Sequence, residues 1–227
     1  MNTLELSLKE MLYLISVKAD DGRSNAEHLN FGLVGACLFE LAEQDRISIK
    51  NKRIYLQDKS PTKDEALNLV LSQISKSRKT RKIKSWVSML HNKSDRIKKR
   101  VRNQLRDKGI LRQEKKKFLF IPYTLHPVAK TGEQKKVLQH LQKIIPSKKT
   151  FEDKEANLIA LSYASGTYRN IFSSRRHRKE ARKRTKYLIK EGAIASSVNE
   201  SIQEMQAAIT AAVAATAATT AAASSSN

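Results

Sequence analysis

The sequence carries a single cysteine, Cys37, so no internal disulfide can form, and its place in the apolar run GLVGACLFEL marks it as a small core residue compatible with a reducing compartment. Long apolar runs are also missing. The only candidate for a membrane span, MQAAITAAVAATAATTAAASSS, is mostly Ala, Thr and Ser, far less greasy than the roughly 20 strongly apolar residues a spanning helix prefers. Met205, Ile209 and Val213 recur every fourth residue there and predict the packing edge of a buried Ala-rich helix, with a low-complexity tail from Thr219 to Asn227. The N-terminus MNTLELSLKE lacks a basic region followed by an unbroken apolar stretch, which argues against a secretory signal. There is no glycine-rich phosphate loop, no metal-ligand spacing among the five His and one Cys, and no Gly-x-Ser-x-Gly elbow. Those absences exclude the common nucleotide, zinc and serine-hydrolase chemistries, so the expectation is a protein that is not an enzyme and needs no cofactor or metal. His126, before Pro127, reads as a turn contact and His177, inside an arginine cluster, as part of a solvated basic face. Neither has a partner placed to make it a catalytic base.

Acidic residues are the other scarcity. Asp and Glu number 22 against 44 Lys and Arg, a net charge of +22, which favours polyanionic partners: nucleic acid or an anionic membrane surface. The 227 residues, 40% of them apolar, suffice for a sizeable core.

Helix signals dominate. Ser7 and Glu10 have capping-box spacing before Met11, Leu12, Leu14 and Ile15, in a helix expected to stop near Asp20-Asp21-Gly22. Gly32 to Gln44 is nearly continuously apolar and predicts a helix buried on most sides, the centre of the fold. A short hairpin follows at Ile47 to Leu56, then outer helices at about Thr62 to Ser75 and Thr80 to Asn92. Arg96 to Lys108 is a basic helix with Ile97, Val101 and Leu105 on one side and Gly109 as its left-handed stop. Glu133 to Ile145, Phe151 to Phe172 and Arg175 to Lys190 supply the remaining helical stretches. The expected architecture is mainly α, one globular domain over residues 1–218 with surrounding amphipathic helices and short β-hairpins, and a tail over 219–227.

LAEQDRISI, LRDKGILRQ and LIKEGAIAS echo one another, each closing a helix with a polar tetrad and resuming in an apolar pair. Helix followed by hairpin is how a winged-helix module ends. No repeat period is constant, so a shared helix-stopping solution accounts for the echo better than tandem units do.

Two basic constellations stand out. The first joins Arg96, Lys98, Lys99, Arg100 and Arg102 to Lys115, Lys116 and Lys117, placed at the turn of a hairpin whose run Phe118, Leu119, Phe120, Ile121 is apolar on both faces. One face is expected to pack inward and the other to meet acyl chains or a neighbouring protomer. The second sets eight cations, Arg175, Arg176, Arg178, Lys179, Arg182, Lys183, Arg184 and Lys186, within twelve residues. Such density points to anion binding, since each cation near an anionic bilayer contributes on the order of 1 kcal/mol. A nucleic-acid module, with the basic helix in a groove and Lys115 to Lys117 as the wing, is the alternative, and a pure protein-interaction scaffold a third reading.

LSLKEMLYLIS, GLVGACLFELAEQDRISI, KRVRNQLRDKGILRQEKKKFLFIPYTLHP and LIALSYASGTYRNIF resemble, in order and spacing, segments of the Golgi phosphoprotein 3 family of peripheral membrane proteins. The resemblance implies an all-helical fold around a buried helix and binding of phosphatidylinositol 4-phosphate in a shallow basic pocket. It also implies self-association through the hairpin, a link between enzymes and vesicle coats, and a place on the cytosolic face of a membrane, the Golgi in a eukaryote. Carried over on Gly32-Leu33 and Lys108-Gly109, the family's pocket tryptophan falls on Asn25 and its arginines on Val34, Asp95 and Lys98. Only Lys98 keeps a cation, without the bidentate fork of Arg. These departures mark a divergent, prokaryotic or otherwise distant, member. The lipid-headgroup residues expected on this basis are Arg96, Lys98, Lys99 and Arg102, with Arg175, Arg176, Arg178 and Arg182 as a secondary patch giving looser electrostatic attachment.

Overall fold

A computed structural model describes residues 6–147, 151–190, 204–205 and 207–215. The expected tail over 219–227 and the Gly192 of the third echo lie outside the described residues. Helix α1 (Leu8–Ser16) starts as its spacing predicts: Ser7 Oγ accepts from the Glu10 N–H while the Glu10 carboxylate accepts from the Ser7 N–H. It stops earlier than expected, because Val17 is extended and bridges Ser24. Asp20 and Asp21 shape the intervening turn, where Asp21 accepts from the Arg23 N–H.

Helix α2 (Leu29–Glu43) is buried over most of its length, as its apolar sequence demands. It is followed by α3 (Glu65–Ser75), α4 (Ile83–His91), α5 (Ser94–Asp107), α6 (Thr131–Ile144), α7 (Asp153–Ala164), the single turn α8 (Tyr168–Ile171) and α9 (Arg175–Lys190). Helices α1, α3, α4, α5 and α7 all pack on α2, and α9 packs on α7. Two faces of α2 receive different neighbours. A Cβ at Gly32 would lie 2.8 Å from Ser165 Cβ, and one at Gly35 would lie 2.8 Å from Leu161 and 3.0 Å from Ile209. Glycine there lets α7 and the helical stretch 207–215 approach closely. Asn30, about 200° round the helix from Gly32, instead donates to Asp95 at 3.3 Å. Helices α5 and α7 therefore flank α2 on opposite sides. Met205 and Ile209 are fully buried with Val213 packed beside them, so the Ala-rich stretch packs along the edge its spacing predicts. Cys37 is buried in the core, which holds its thiol protonated.

The echo has a physical basis. Asp45 and Gly109, both left-handed (φ 54° and 67°), stop α2 and α5. Asp45 and Arg46 N–H groups reach back to Ala42 and Leu41, and those of Gly109 and Ile110 to Arg106 and Leu105, the same paired return in both. A hairpin follows each time. Strands β1 (Ile47–Lys50), β2 (Arg53–Leu56) and β3 (Arg81–Lys82) form an antiparallel sheet. Strands β4 (Glu114–Phe118) and β5 (Ile121–Leu125) form the second, with Phe118 opposite Ile121.

One buried ionic cluster ties the first three helices. Lys9 Nζ lies 2.6 Å from both Glu40 and Asp64, and the Lys9 N–H donates to Glu40 at 2.8 Å. Burial alone lowers the affinity of Lys9 for its proton, but the two carboxylates outweigh it and raise its pKa. Burial raises Glu40 despite the facing ammonium, whereas Asp64, less buried, is held below its usual value by Lys9 and by the backbone it caps.

Candidate functional site

Helix α5 turns Ser94, Ile97, Val101 and Leu105 into the core and its charges outward. At about 100° per residue, Lys98, Lys99, Arg102 and Arg106 fall within one arc of roughly 100°, whereas Arg96 lies on the opposite flank beside Arg100. Arg100 sits 3.7 Å from Glu65 of α3. The four predicted headgroup cations thus divide three and one: Lys98, Lys99 and Arg102 share a surface and Arg96 does not.

That arc leads to the base of the second hairpin. The His126 N–H donates to Asp21 O at 3.3 Å and Gly22 packs against the His126 backbone, the predicted turn contact. Burial, followed by the charges of Arg102 and Arg106, lowers the pKa of His126 and keeps its ring neutral. Leu111 and Val128 bridge at the point where the hairpin leaves the body.

The hairpin departs from expectation in two ways. Phe118, Leu119, Phe120 and Ile121 are not a strand: Leu119 and Phe120 are the two-residue turn itself, with Leu119 left-handed at φ 53°. No face packs inward, and the four side chains are 69, 78, 96 and 69% exposed. Lys115, Lys116 and Lys117 lie along β4 rather than at the turn, all exposed. A turn in the middle of an apolar run carries both faces away from the body, so neither can reach the core. Extensive packing of β4 and β5 among the described elements is with each other alone. The result is a projecting finger with a cationic shaft and an apolar tip.

The positions aligned with the family's pocket do not form a cationic site. Val34 is 0% exposed and belongs to the core. Asp95 is exposed and bonded to Asn30, Lys98 is half-buried, and Phe31 stacks on His91 at 3.9 Å between α2 and α4. Asn25 instead lines a cleft of about 310 Å³ with Glu27, His28, Tyr163, Arg169 and Arg182. No spacing in the sequence announces this cleft, because its walls come from four segments far apart in the chain, Thr210 and Val213 among them. On α9, Arg178 donates to the carbonyls of Phe172 and Ser173, Arg176 pairs with Glu180 at 3.0 Å, and Arg184 donates to Ser147 O at 3.1 Å. His177 is exposed among them. Among the described residues no group of His, Cys, Asp and Glu could hold a metal ion, and no helix is long and apolar enough to cross a membrane.

A buried helix ringed by helices, with a basic helix feeding a cationic finger tipped by apolar side chains, defines a helical scaffold that presents charge and grease together. The chain matches the model of the family described as Golgi phosphoprotein 3 (GPP34) over residues 8–205. It belongs to that family. It is similar to the vacuolar protein sorting-associated protein 74 of Schizosaccharomyces pombe, 24% identical over 166 residues, covering 63% of this chain and 49% of the relative. The chain spans about half the length of that curated relative.

Proposed function

We propose that this protein is a peripheral membrane protein that docks on anionic or phosphorylated lipid headgroups, of the phosphatidylinositol 4-phosphate kind, with the finger tip entering the acyl boundary. The observation that carries this reading is the exposure of Phe118, Leu119, Phe120 and Ile121 directly beyond Lys115 to Lys117. Exposed clustered apolar side chains mark an interaction surface, and cations behind them match a layer of headgroup phosphates. Lys98, Lys99 and Arg102 supply further headgroup contacts from α5, with Arg96 contributing from its other flank. A DNA wing has no use for an apolar tip, which counts against a winged-helix role for this region. Family membership favours the cytosolic face of a membrane, the Golgi in a eukaryotic cell, and a sorting role of the kind in the name of the fission yeast relative. Pairing of two fingers into a homo-oligomer is the competing use of the same tip.

Co-sedimentation with vesicles at about 0.15 M salt, where surface charges are screened beyond roughly 8 Å, tests the reading. Vesicles of neutral lipid, neutral plus phosphatidylserine, and neutral plus phosphatidylinositol 4-phosphate at matched charge are compared. Binding to the anionic vesicles supports docking, and a preference for the phosphoinositide that disappears in Lys98→Glu supports headgroup recognition. No vesicle binding, together with dimers that dissociate on Phe120→Asp, would replace the membrane role by self-association.

A further inference from the structure

Helix α9 carries a cationic surface that the finger does not use. Its inward side is Ala181 and Thr185, the latter within 2.5 Å of the Tyr168 hydroxyl. At about 100° per residue, Arg175, Lys179, Arg182, Lys183 and Lys186 fall within a single arc of roughly 100° turned away from the body. All five are exposed, and none has an ion pair or hydrogen bond among the described residues. The engaged cations Arg176, Arg178 and Arg184 lie outside that arc, as does Glu180, the acidic residue of the helix. From Arg175 to Lys186 the stripe runs about 16 Å at 1.5 Å per residue.

Arg182 also lines the cleft, opening the stripe onto a concave surface where Tyr163, His28 and Asn25 sit. Arg169 at its edge is held by Glu27 at 2.8 Å. An ordered row of unpaired cations beside a cleft with an aromatic wall is the arrangement that holds a single nucleic-acid strand, phosphates along the row and one nucleotide turned inward. A bilayer is a poorer fit. Interfacial helices hold membrane through a broad apolar face presented with their cations, whereas the described side chains of α9 offer beside the stripe only the single ring of Tyr187, 52% exposed with Arg184 over it, which suits stacking on a base.

We propose that α9 is a docking surface for single-stranded nucleic acid, reading the phosphodiester backbone through Arg175, Lys179, Arg182, Lys183 and Lys186 and admitting a nucleotide to the cleft beside Tyr163. This surface lies across α2 from α5 and acts independently of the membrane reading. Binding of five phosphates predicts a slope of log K against log salt of about −3.5 for a single strand.

The test is a fluorescence anisotropy titration of a labelled 15-nucleotide oligouridylate into the full chain between 50 and 200 mM salt. The same preparations are sedimented with phosphatidylserine vesicles, and thermal melts confirm equal folding. The variant is Lys179→Gln/Lys183→Gln/Lys186→Gln, three exposed changes. The expected result is binding that weakens at least tenfold in the variant with a slope reduced to about −1.4, while vesicle binding is unchanged. A second variant, Arg182→Gln, weakens the oligonucleotide by a further factor at the cleft mouth. Three results overturn the proposal: no oligonucleotide binding at 50 mM salt, binding that the triple variant leaves intact, or loss of vesicle binding in that variant with the oligonucleotide unaffected.

Discussion

The two basic surfaces of this protein differ in what accompanies the charge. On the finger, Lys115 to Lys117 stand behind four exposed apolar side chains that no described residue of the body covers. On α9, five cations that pair with none of the described residues stand on one arc, with Ala181 and Thr185 turned inward and the single exposed ring of Tyr187 beside it. Charge density alone would rank α9 above the finger as an attachment site. What separates them is whether apolar area is left for a partner to bury, at roughly 25 cal/mol per Å². The lesson is that excess charge in a sequence names a class of partner, and the side chains between the charges choose within it.

The change that most sharply breaks the contrast is Phe118→Asp/Phe120→Asp, which strips the tip of its grease. Each buried Phe is worth about 1.5–3 kcal/mol, so vesicle affinity at fixed salt is expected to fall at least a hundredfold. The melting temperature should stay the same, because both rings are exposed in the free protein. Next in size is an effect on the body that positions both surfaces. Lys9→Met leaves buried Glu40 and half-buried Asp64 without their shared cation, and denaturant unfolding should show a loss of about 3–5 kcal/mol. Adding Glu40→Gln and Asp64→Asn should return most of that loss. Replacing Gly109, held at φ 67° with no backbone crowding it, by alanine should lower stability by about 1–2 kcal/mol and loosen the exit of the finger. Amide exchange in β4 and β5 should rise while that in α9 does not. The smallest change is Leu119→Gly, which removes left-handed strain of about 1 kcal/mol and one apolar side chain together. Stability should hold or rise while vesicle affinity drops a few-fold.

Much of the fold was legible in residues with local physical meaning. Ser7 and Glu10 announce their cap, the run from Gly32 to Gln44 its burial, and the recurrence at Ile97, Val101 and Leu105 the inward side of α5. The echo of LAEQDRISI in LRDKGILRQ reported one left-handed stop used twice. The tip is hidden for a reason equally local: alternation within FLFI describes a strand, and nothing in those four letters says that the chain reverses between Phe118 and Ile121. A leucine at positive φ is not a residue that turn chemistry would nominate. Arg96 and Lys98 are near in sequence, but the helical period sets them on different flanks. Lys9 has no sequence signal of its own, although Glu40, set inside the apolar run Gly35 to Leu41, calls for a partner. The cleft at Asn25, Tyr163 and Arg182 comes from tertiary assembly, which no spacing encodes.

The most direct test compares the two surfaces in one experiment. Cys37 is fully buried, so Phe120→Cys and Lys183→Cys can each be labelled selectively with a polarity-sensitive dye and mixed with phosphatidylserine vesicles. The account predicts a blue-shifted emission, quenched by acyl-chain quenchers, from the Phe120 site and an unchanged spectrum from the Lys183 site. A shift at Lys183 without one at Phe120 would contradict it, and would make α9, rather than the finger, the membrane-facing element.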